Sequence, residues 1–201
     1  MKYVKSRLWK RIIYEVFLST PNKEATPRLG NEENVIFSAI DSNQLSYDEW
    51  NKSLKPVEKL YPTLNERKRK WYQNGDIIVV GTNDDGVVFR GRMTSKDWIF
   101  NYLPVDKRKS RVFYTDVFCH KSLRRKGIAI LARHFAQRVA YERSIKNLWS
   151  FVKSDNHASK KMNFKLGSEQ CGRIYYKSIF GKISVTWHRK DGNRERLFWK
   201  P

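Results

Sequence analysis

Apolar positions in this chain fall into short groups, and the spacing within each group predicts an element. Near the start, Val4, Leu8, Ile12 and Val16 recur every four residues, with Trp9, Ile13 and Phe17 beside them. With Lys2, Lys5, Lys10 and Arg11 on the other flanks, this spacing predicts an amphipathic helix packed on a sheet. Ser19 to Asn34 is polar, contains Pro21, Pro27 and Gly30, and reads as a loop. A short strand over Val35–Ile40 and a helix over Tyr47–Leu60 come next. The basic stretch Lys68–Gln73 then ends in the turn pair Asn74-Gly75. The clearest hairpin joins Asp76–Val80 to Val87–Met93 through Asn83-Asp84-Asp85-Gly86. Thr94–Ser110 is mixed and reads as a short helix and a solvated loop.

The second half is more regular. Arg111–Cys119 is rich in β-branched and aromatic residues and predicts a central strand. Gly127–Tyr141 carries Ile128, Leu131, Phe135 and Val139 on one helical stripe. Asn147–Val152 is a further strand, and Ser159–Leu166 a short helix between Asp155-Asn156 and Gly167. Arg173–Phe180 and Ile183–His188 form a last hairpin about Gly181-Lys182, followed by a basic tail, Arg189–Pro201.

Composition narrows the class. The 201 residues are 40% hydrophobic and 14% aromatic, enough for one real core. No apolar run reaches the roughly 18 residues of a membrane span. Glu15 interrupts the only candidate signal segment, Ile12–Leu18, so the cytoplasm is the expected compartment. Cys119 and Cys171 are too few for a disulfide scaffold or a zinc site. Charge adds the most: 41 Lys and Arg against 20 Asp and Glu give a net charge of +21. Such a field gathers anions, whether nucleic acid, acidic lipid, phosphorylated ligands or acidic carrier proteins.

The order from Arg111 onward is strand, basic glycine loop, helix, strand, short helix, strand. The loop is Arg124-Arg125-Lys126-Gly127-Ile128-Ala129. A loop that opens a helix presents backbone N–H groups without intrahelical acceptors, and the helix dipole adds positive charge there. Gly127 lets the backbone come close to a ligand, Ala129 keeps the next turn thin, and three cations add formal charge. This is the chemistry of a diphosphate site.

Asp116 to Ala129, read as one unit, resembles the strand–loop–helix signature of the GNAT acyltransferase superfamily, whose Arg/Gln-x-x-Gly-x-Gly/Ala pattern is met by Arg124, Gly127 and Ala129. Val152 to Asn156, Ser159 and Lys165-Leu166-Gly167 are similar to its second motif. The resemblance covers about residues 70–188, with 1–69 as a variable acceptor-binding half and 189–201 as a tail. It implies a single α/β (α+β) domain with a mixed central sheet, a splayed strand and flanking helices. It also implies acetyl-CoA or another acyl-CoA as donor, with an acyl-carrier protein as the alternative. Val117, Phe118 and Cys119 would then pair with the pantetheine arm, Arg124 to Ala129 would hold the pyrophosphate, and Asn156 and Ser159 would lie near the leaving thiol.

Acyl transfer needs a base for the amine, donors for the oxyanion and an acid for the thiolate. Asp116 is the first candidate base, because it stands on the strand that leads to the thioester. His120 is the second, because an ordinary imidazole titrates near neutral pH. The superfamily's usual acid, a Tyr seven residues after the motif Asn, is replaced here by Asn163, which leaves Ser159, Tyr175 or Tyr176 for that role. Three acceptor readings stay open. One is a small-molecule amine such as an amino sugar, in line with a resemblance to members associated with surface-polysaccharide synthesis. Another is a nucleic-acid base, as in the phage Mom enzymes, which the charged aromatic clusters Arg67–Tyr72, Lys107–Arg111 and Arg189–Lys200 would serve. The last is a non-catalytic CoA-binding module.

Overall fold

The structure is a computed structural model that describes residues 9–23, 34–58, 64–65, 67–96, 111–179 and 182–200, with backbone alone for 9–10, 111 and 195–200. The chain forms two compact units. The described parts of 20–96 and 110–148 make a central unit, and those of 1–19 and 149–201 a terminal unit.

In the central unit four strands lie in the order β2 (Ile36–Asp41), β3 (Ile77–Asn83), β4 (Gly86–Thr94), β5 (Arg111–Cys119), every adjacent pair antiparallel. Helix α3 (Ile128–Glu142) packs Ile128, Leu131, Ala132, Ala136, Val139 and Ala140 into the core cluster that holds Ile77, Val79, Phe89, Met93 and Tyr114. Ile78 and Val80, the intervening residues of β3, join Trp50, Leu54 and Val57 of α1 (Tyr47–Glu58) and Trp71 of α2 (Lys68–Gln73). Alternate side chains of β3 thus serve two cores, which is why its run Ile77–Val80 is apolar without alternation. Helix α1 begins with a capping box: Ser46 N–H donates to Glu49 Oε2 at 2.9 Å and Glu49 N–H to Ser46 Oγ at 3.4 Å.

In the terminal unit the order is β6 (Asn147–Lys153, from Trp149 onward), β1 (Trp9–Ser19), β7 (Glu169–Ile179), β8 (Lys182–Arg189), β9 (Arg194–Lys200). Helix α4 (His157–Lys165) joins β6 to β7.

One sequence expectation is corrected, and one stretch gains an element. The first amphipathic stripe is a strand from Trp9, not a helix; Met1 to Leu8 lie outside the described residues. β1 is an interior strand with Glu15, Val16 and Phe17 all buried, so both faces carry apolar groups and the period of two is hidden. The basic tail holds a strand that the sequence left unassigned. Arg194–Lys200 pairs with β8 as the last strand in the order, where charged side chains are usual. Of Thr94–Ser110, expected to hold a short helix and a solvated loop, Thr94 ends β4 and 97–110 lie outside the described residues.

Candidate active site

The strand β5 reaches the loop through a bulge. Arg92 faces Thr115 and Arg90 faces Phe118, so only Gly91 on β4 opposes both Asp116 and Val117. The extra residue puts Asp116 at φ 51, a left-handed conformation that Asp tolerates better than most side chains. Its carboxylate meets Arg92, Nε to Oδ2 at 3.0 Å. The same guanidinium donates from Nη1 to Asp76 Oδ2 at 2.9 Å and lies 4.9 Å over the ring of Trp71. Asp76 is fully buried, and burial pushes its carboxyl up to about 6 against the opposing Thr94 hydroxyl and Arg92 charge. A line of groups therefore runs from the interior, Asp76 to Arg92 to Asp116, and ends at a carboxylate that is about a quarter exposed.

Beyond the bulge, Phe118 and Cys119 stay paired to β4, and Val117 is 44% exposed. His120 N–H donates to Val88 O at 2.8 Å, and its exposed ring places Nδ1 2.8 Å from Ser122 Oγ. Burial pushes the Cys119 thiol up despite the nearby Arg124, which disfavours a thiolate nucleophile there. Lys121–Leu123 forms one turn of 3₁₀ helix, with Leu123 buried as its anchor.

The loop then takes its special backbone. Arg125 (φ 69) and Gly127 (φ 80) are both left-handed, and Gly127 caps α3. Alternation of left-handed and ordinary residues turns successive N–H groups toward a concavity suited to anions. Gly127 O accepts from Ile130 and Leu131, while Ile128 and Ala129 occupy the first turn, whose N–H groups have no intrahelical acceptor. Arg124, Arg125 and Lys126 are exposed, and Arg124 Nε donates to Cys119 O at 3.2 Å, which ties the guanidinium to the end of β5. This loop fits a diphosphate in charge, backbone and exposure.

In the terminal unit, Asn156 caps α4 by accepting from Ser159 N–H at 3.1 Å. Asn163, where the superfamily's acid would stand, is 2% exposed. Its Oδ1 accepts from Ser150 Oγ at 2.8 Å and its Nδ2 donates to Ser159 O at 2.9 Å. Asn163 is an internal strut between β6 and α4 and has no proton to give to a substrate. Tyr176 is half-buried on β7, opposite Ile12 and Val185, on the other strand face from Tyr175.

The central unit thus brings together Asp116, Val117, Phe118, Cys119, His120 and the loop Arg124 to Ala129, and the terminal unit holds Asn156, Ser159 and Tyr176. Sequence reasoning missed Arg92. The available signal was Arg90-x-Arg92, a pair of arginines two apart inside an otherwise apolar strand.

The basic aromatic cluster at Arg67–Tyr72 also needs correction. Trp71 is 3% exposed and packs in the core of the central unit, within cation–π distance of Arg90 and Arg92. Tyr72 donates to Leu45 O at 3.0 Å, and Lys68 pairs with Glu58. Neither ring is free to stack on a base. The cluster Lys107–Arg111 lies outside the described residues, apart from the backbone of Arg111.

No family model and no curated protein matches this chain. Solved structures do. A GCN5-related N-acetyltransferase from Sphaerobacter thermophilus superposes with a TM-score of 0.55 at 12% identity, over 98% of this chain and 55% of its own. A tandem GNAT protein from the clavulanic acid biosynthesis pathway gives 0.57 at 13%, over 85% and 54%. The glucosamine N-acetyltransferase region of a fungal multi-domain GH3 β-N-acetylglucosaminidase gives 0.57 at 11%, over 87% and 22%. This chain covers less than two thirds of the length of each of these structures. At this identity the likeness shows the fold: a mixed α/β fold with a mixed sheet flanked by helices, that of the GCN5-related N-acetyltransferases.

Proposed function

We propose that this chain is an acyl-CoA-dependent N-acyltransferase whose acceptor is an amino sugar or another small amine. The observation that carries the reading is the β5 bulge followed by the left-handed cationic loop, one delivering a carboxylate and the other a diphosphate cradle on the same strand–loop–helix unit. Likeness to a fold whose solved members include a glucosamine N-acetyltransferase region supports an amino-sugar acceptor.

When bound, acyl-CoA supplies an activated thioester. The chain's own residues do the rest. Arg124, Arg125, Lys126 and the first N–H groups of α3 hold the diphosphate, and the backbone of Val117 to Cys119 aligns the arm. Asp116 takes a proton from the attacking amine, with its direction fixed by Arg92; His120 is the alternative acceptor of that proton. As the C–S bond breaks, a proton from solvent would neutralise the departing thiolate. A thiolate is a tolerable leaving group, so the loss of an acid at Asn163 is compatible with turnover.

Calorimetry with acetyl-CoA, followed by an amine-acceptor screen, tests this. Wild type is expected to bind at micromolar concentration, and Arg124→Ala with Lys126→Ala to weaken binding about a hundredfold, as loss of two charge-assisted contacts would. Asp116→Asn keeps the left-handed residue, because Asn also accepts positive φ. It should therefore bind normally yet lose on the order of 10²–10⁴ in kcat, the usual effect of a missing base. Equal acetyl-CoA affinity in wild type and the loop variant would defeat the donor site, and an unchanged kcat in Asp116→Asn would remove that residue from the chemistry.

A further inference from the structure

The terminal unit carries a second cationic site that the acyl-transfer reading does not use. β7 pairs with β1 on one side and β8 on the other, and the register sorts their side chains between two faces. One face holds Val16, Ile174, Val185 and Trp187, all buried. On the other, Arg173 lies opposite His188, Tyr175 opposite Thr186, and Lys177 between Arg11 and Ser184. Arg11, Arg173, Lys177 and Lys182 on this face are all exposed. Among the described residues this face is mostly polar, with Ile13 opposite Tyr175 as an apolar exception.

At the start of β7 this face dips into a concavity of about 300 Å³, lined by Arg173, Tyr175, His188, Arg189 and Lys190 about the bare backbone of Gly172. Tyr175 and His188 form an aromatic wall, with ring centroids 4.3 Å apart and planes at 42°. Burial and the Arg194 charge hold the imidazole of His188 below its ordinary value, so the wall is uncharged at neutral pH. Gly172 is required by the shape: a Cβ there would sit 2.3 Å from His188 O. The acids that face the cations hold them loosely. Arg173 is 3.7 Å from Glu15, Arg189 3.4 Å from Asp191 and Lys190 3.7 Å from Glu169, with all three cations at least half exposed. Exposed pairs of this kind contribute little and yield readily to a better anion.

An aromatic wall calls for a planar ring, and the surrounding cations call for phosphate. From Arg173 to Lys177 the face continues for about 13 Å along the strand, longer than one nucleotide needs. We infer that the β1–β7–β8 face binds single-stranded nucleic acid, with one base against Tyr175 and His188 and the backbone following Arg173, Lys177 and Arg11. This goes beyond the acyl-transfer site. None of the residues that line the concavity belongs to the cationic loop or is Asn156, Ser159 or Tyr176.

Fluorescence anisotropy of a labelled short oligothymidylate with the full chain, over a series of salt concentrations, tests the inference. Wild type is expected to bind with an affinity that falls as salt rises. Tyr175→Ala should weaken it about tenfold, as removal of one stacking platform does, while Tyr175→Phe, which keeps the ring, should bind as wild type. Arg173→Ala with Lys177→Ala should flatten the log–log salt slope by about 1.4, the value for two phosphate contacts to a single strand. Arg67→Ala with Arg69→Ala removes the same charge from exposed positions at the start of α2 and should change neither. Circular dichroism confirms that each variant is folded. No binding at low salt overturns the inference, as does Tyr175→Ala binding like wild type, or the two double variants behaving alike. Displacement by anionic phospholipid vesicles that is as strong with Tyr175→Ala as with wild type would mark a generic polyanion surface, and also overturns it. Acetyl-CoA affinity is a separate readout and should not move in Arg173→Ala with Lys177→Ala.

Discussion

Asp76 is the residue whose environment departs furthest from what a carboxylate prefers. It has no exposed surface and sits between the Thr94 hydroxyl and the Arg92 guanidinium, yet burial outweighs both and raises it from 3.8 to about 6. An acid raised in this way binds its proton more tightly folded than unfolded. Its contribution to stability is therefore full below about pH 4 and is lost as pH rises through about 6. Asp76→Asn replaces the group with a neutral isostere that does not titrate. The stability of wild type relative to this variant should fall between pH 4 and 6, by no more than about 3 kcal/mol for a shift of some two units. Urea unfolding of both proteins at several pH values measures that difference, and other carboxylates common to both cancel. A constant gap across the range would mean that Asp76 stays ionised throughout. The same residue explains why Arg92 escaped the sequence reading: a buried acid earlier in the chain is its partner, and no local spacing links Asp76, Arg92 and Asp116.

At the scale of elements, β4 and β5 fit together through a single missing side chain. A Cβ on Gly91 would sit 2.3 Å from the Tyr114 hydroxyl and 2.6 Å from its Cζ, so the hydroxyl end of the ring rests against the backbone of β4. The guanidinium of Arg133 from α3 also packs on that ring, 4.7 Å from the centroid, and Tyr114 is 4% exposed, so its ring is held in the core. Gly91→Ala should destabilise the protein by about 1–3 kcal/mol, the usual range for overpacking, read as a lower denaturant midpoint. Tyr114→Phe should not rescue it, because the ring carbons clash as well as the oxygen. The elements around this contact were the most legible in the sequence. The hairpin of β3 and β4, the strand β5, the stripe of α3 and the glycine loop all follow from local chemistry: turn residues, β-branched runs, and Ile128, Leu131 and Val139 at helical spacing. β1 was not legible. Val16 and Phe17 are both fully buried on opposite faces, so the alternation that marks a strand was absent, and spacing by four suggested a helix. The bulge at Asp116 was implied only by resemblance. Its cause, the register step between Arg90 and Arg92, belongs to a strand pair and has no signature in β5 alone.

Across the whole molecule, positive charge is the largest imbalance. With 41 cations and 20 acids, 21 positive charges are left without a formal counterpart even if every acid is paired. Two effects of salt then compete. Screening weakens the ion pairs and so destabilises, but most exposed pairs, such as Arg189–Asp191 and Lys190–Glu169, contribute at most about 1 kcal/mol each. Screening also relieves repulsion among the surplus cations, which opposes the compact state. The buried pair Arg92–Asp76 is shielded from solvent and changes little. Repulsion among a surplus of 21 outweighs a few weak pairs, so added sodium chloride should raise the unfolding temperature. Relief of about 1–2 kcal/mol corresponds to a rise of roughly 2–8 °C for a chain of this length. Differential scanning calorimetry between low and moderate ionic strength measures it, and a falling midpoint would show that the ion pairs, not the surplus, control stability. A short oligothymidylate at the same ionic strength should raise the midpoint further, because a ligand that binds only the folded chain adds its own binding free energy. That additional rise should vanish in Tyr175→Ala, whereas the rise due to sodium chloride should persist, since the substitution leaves the charge unchanged.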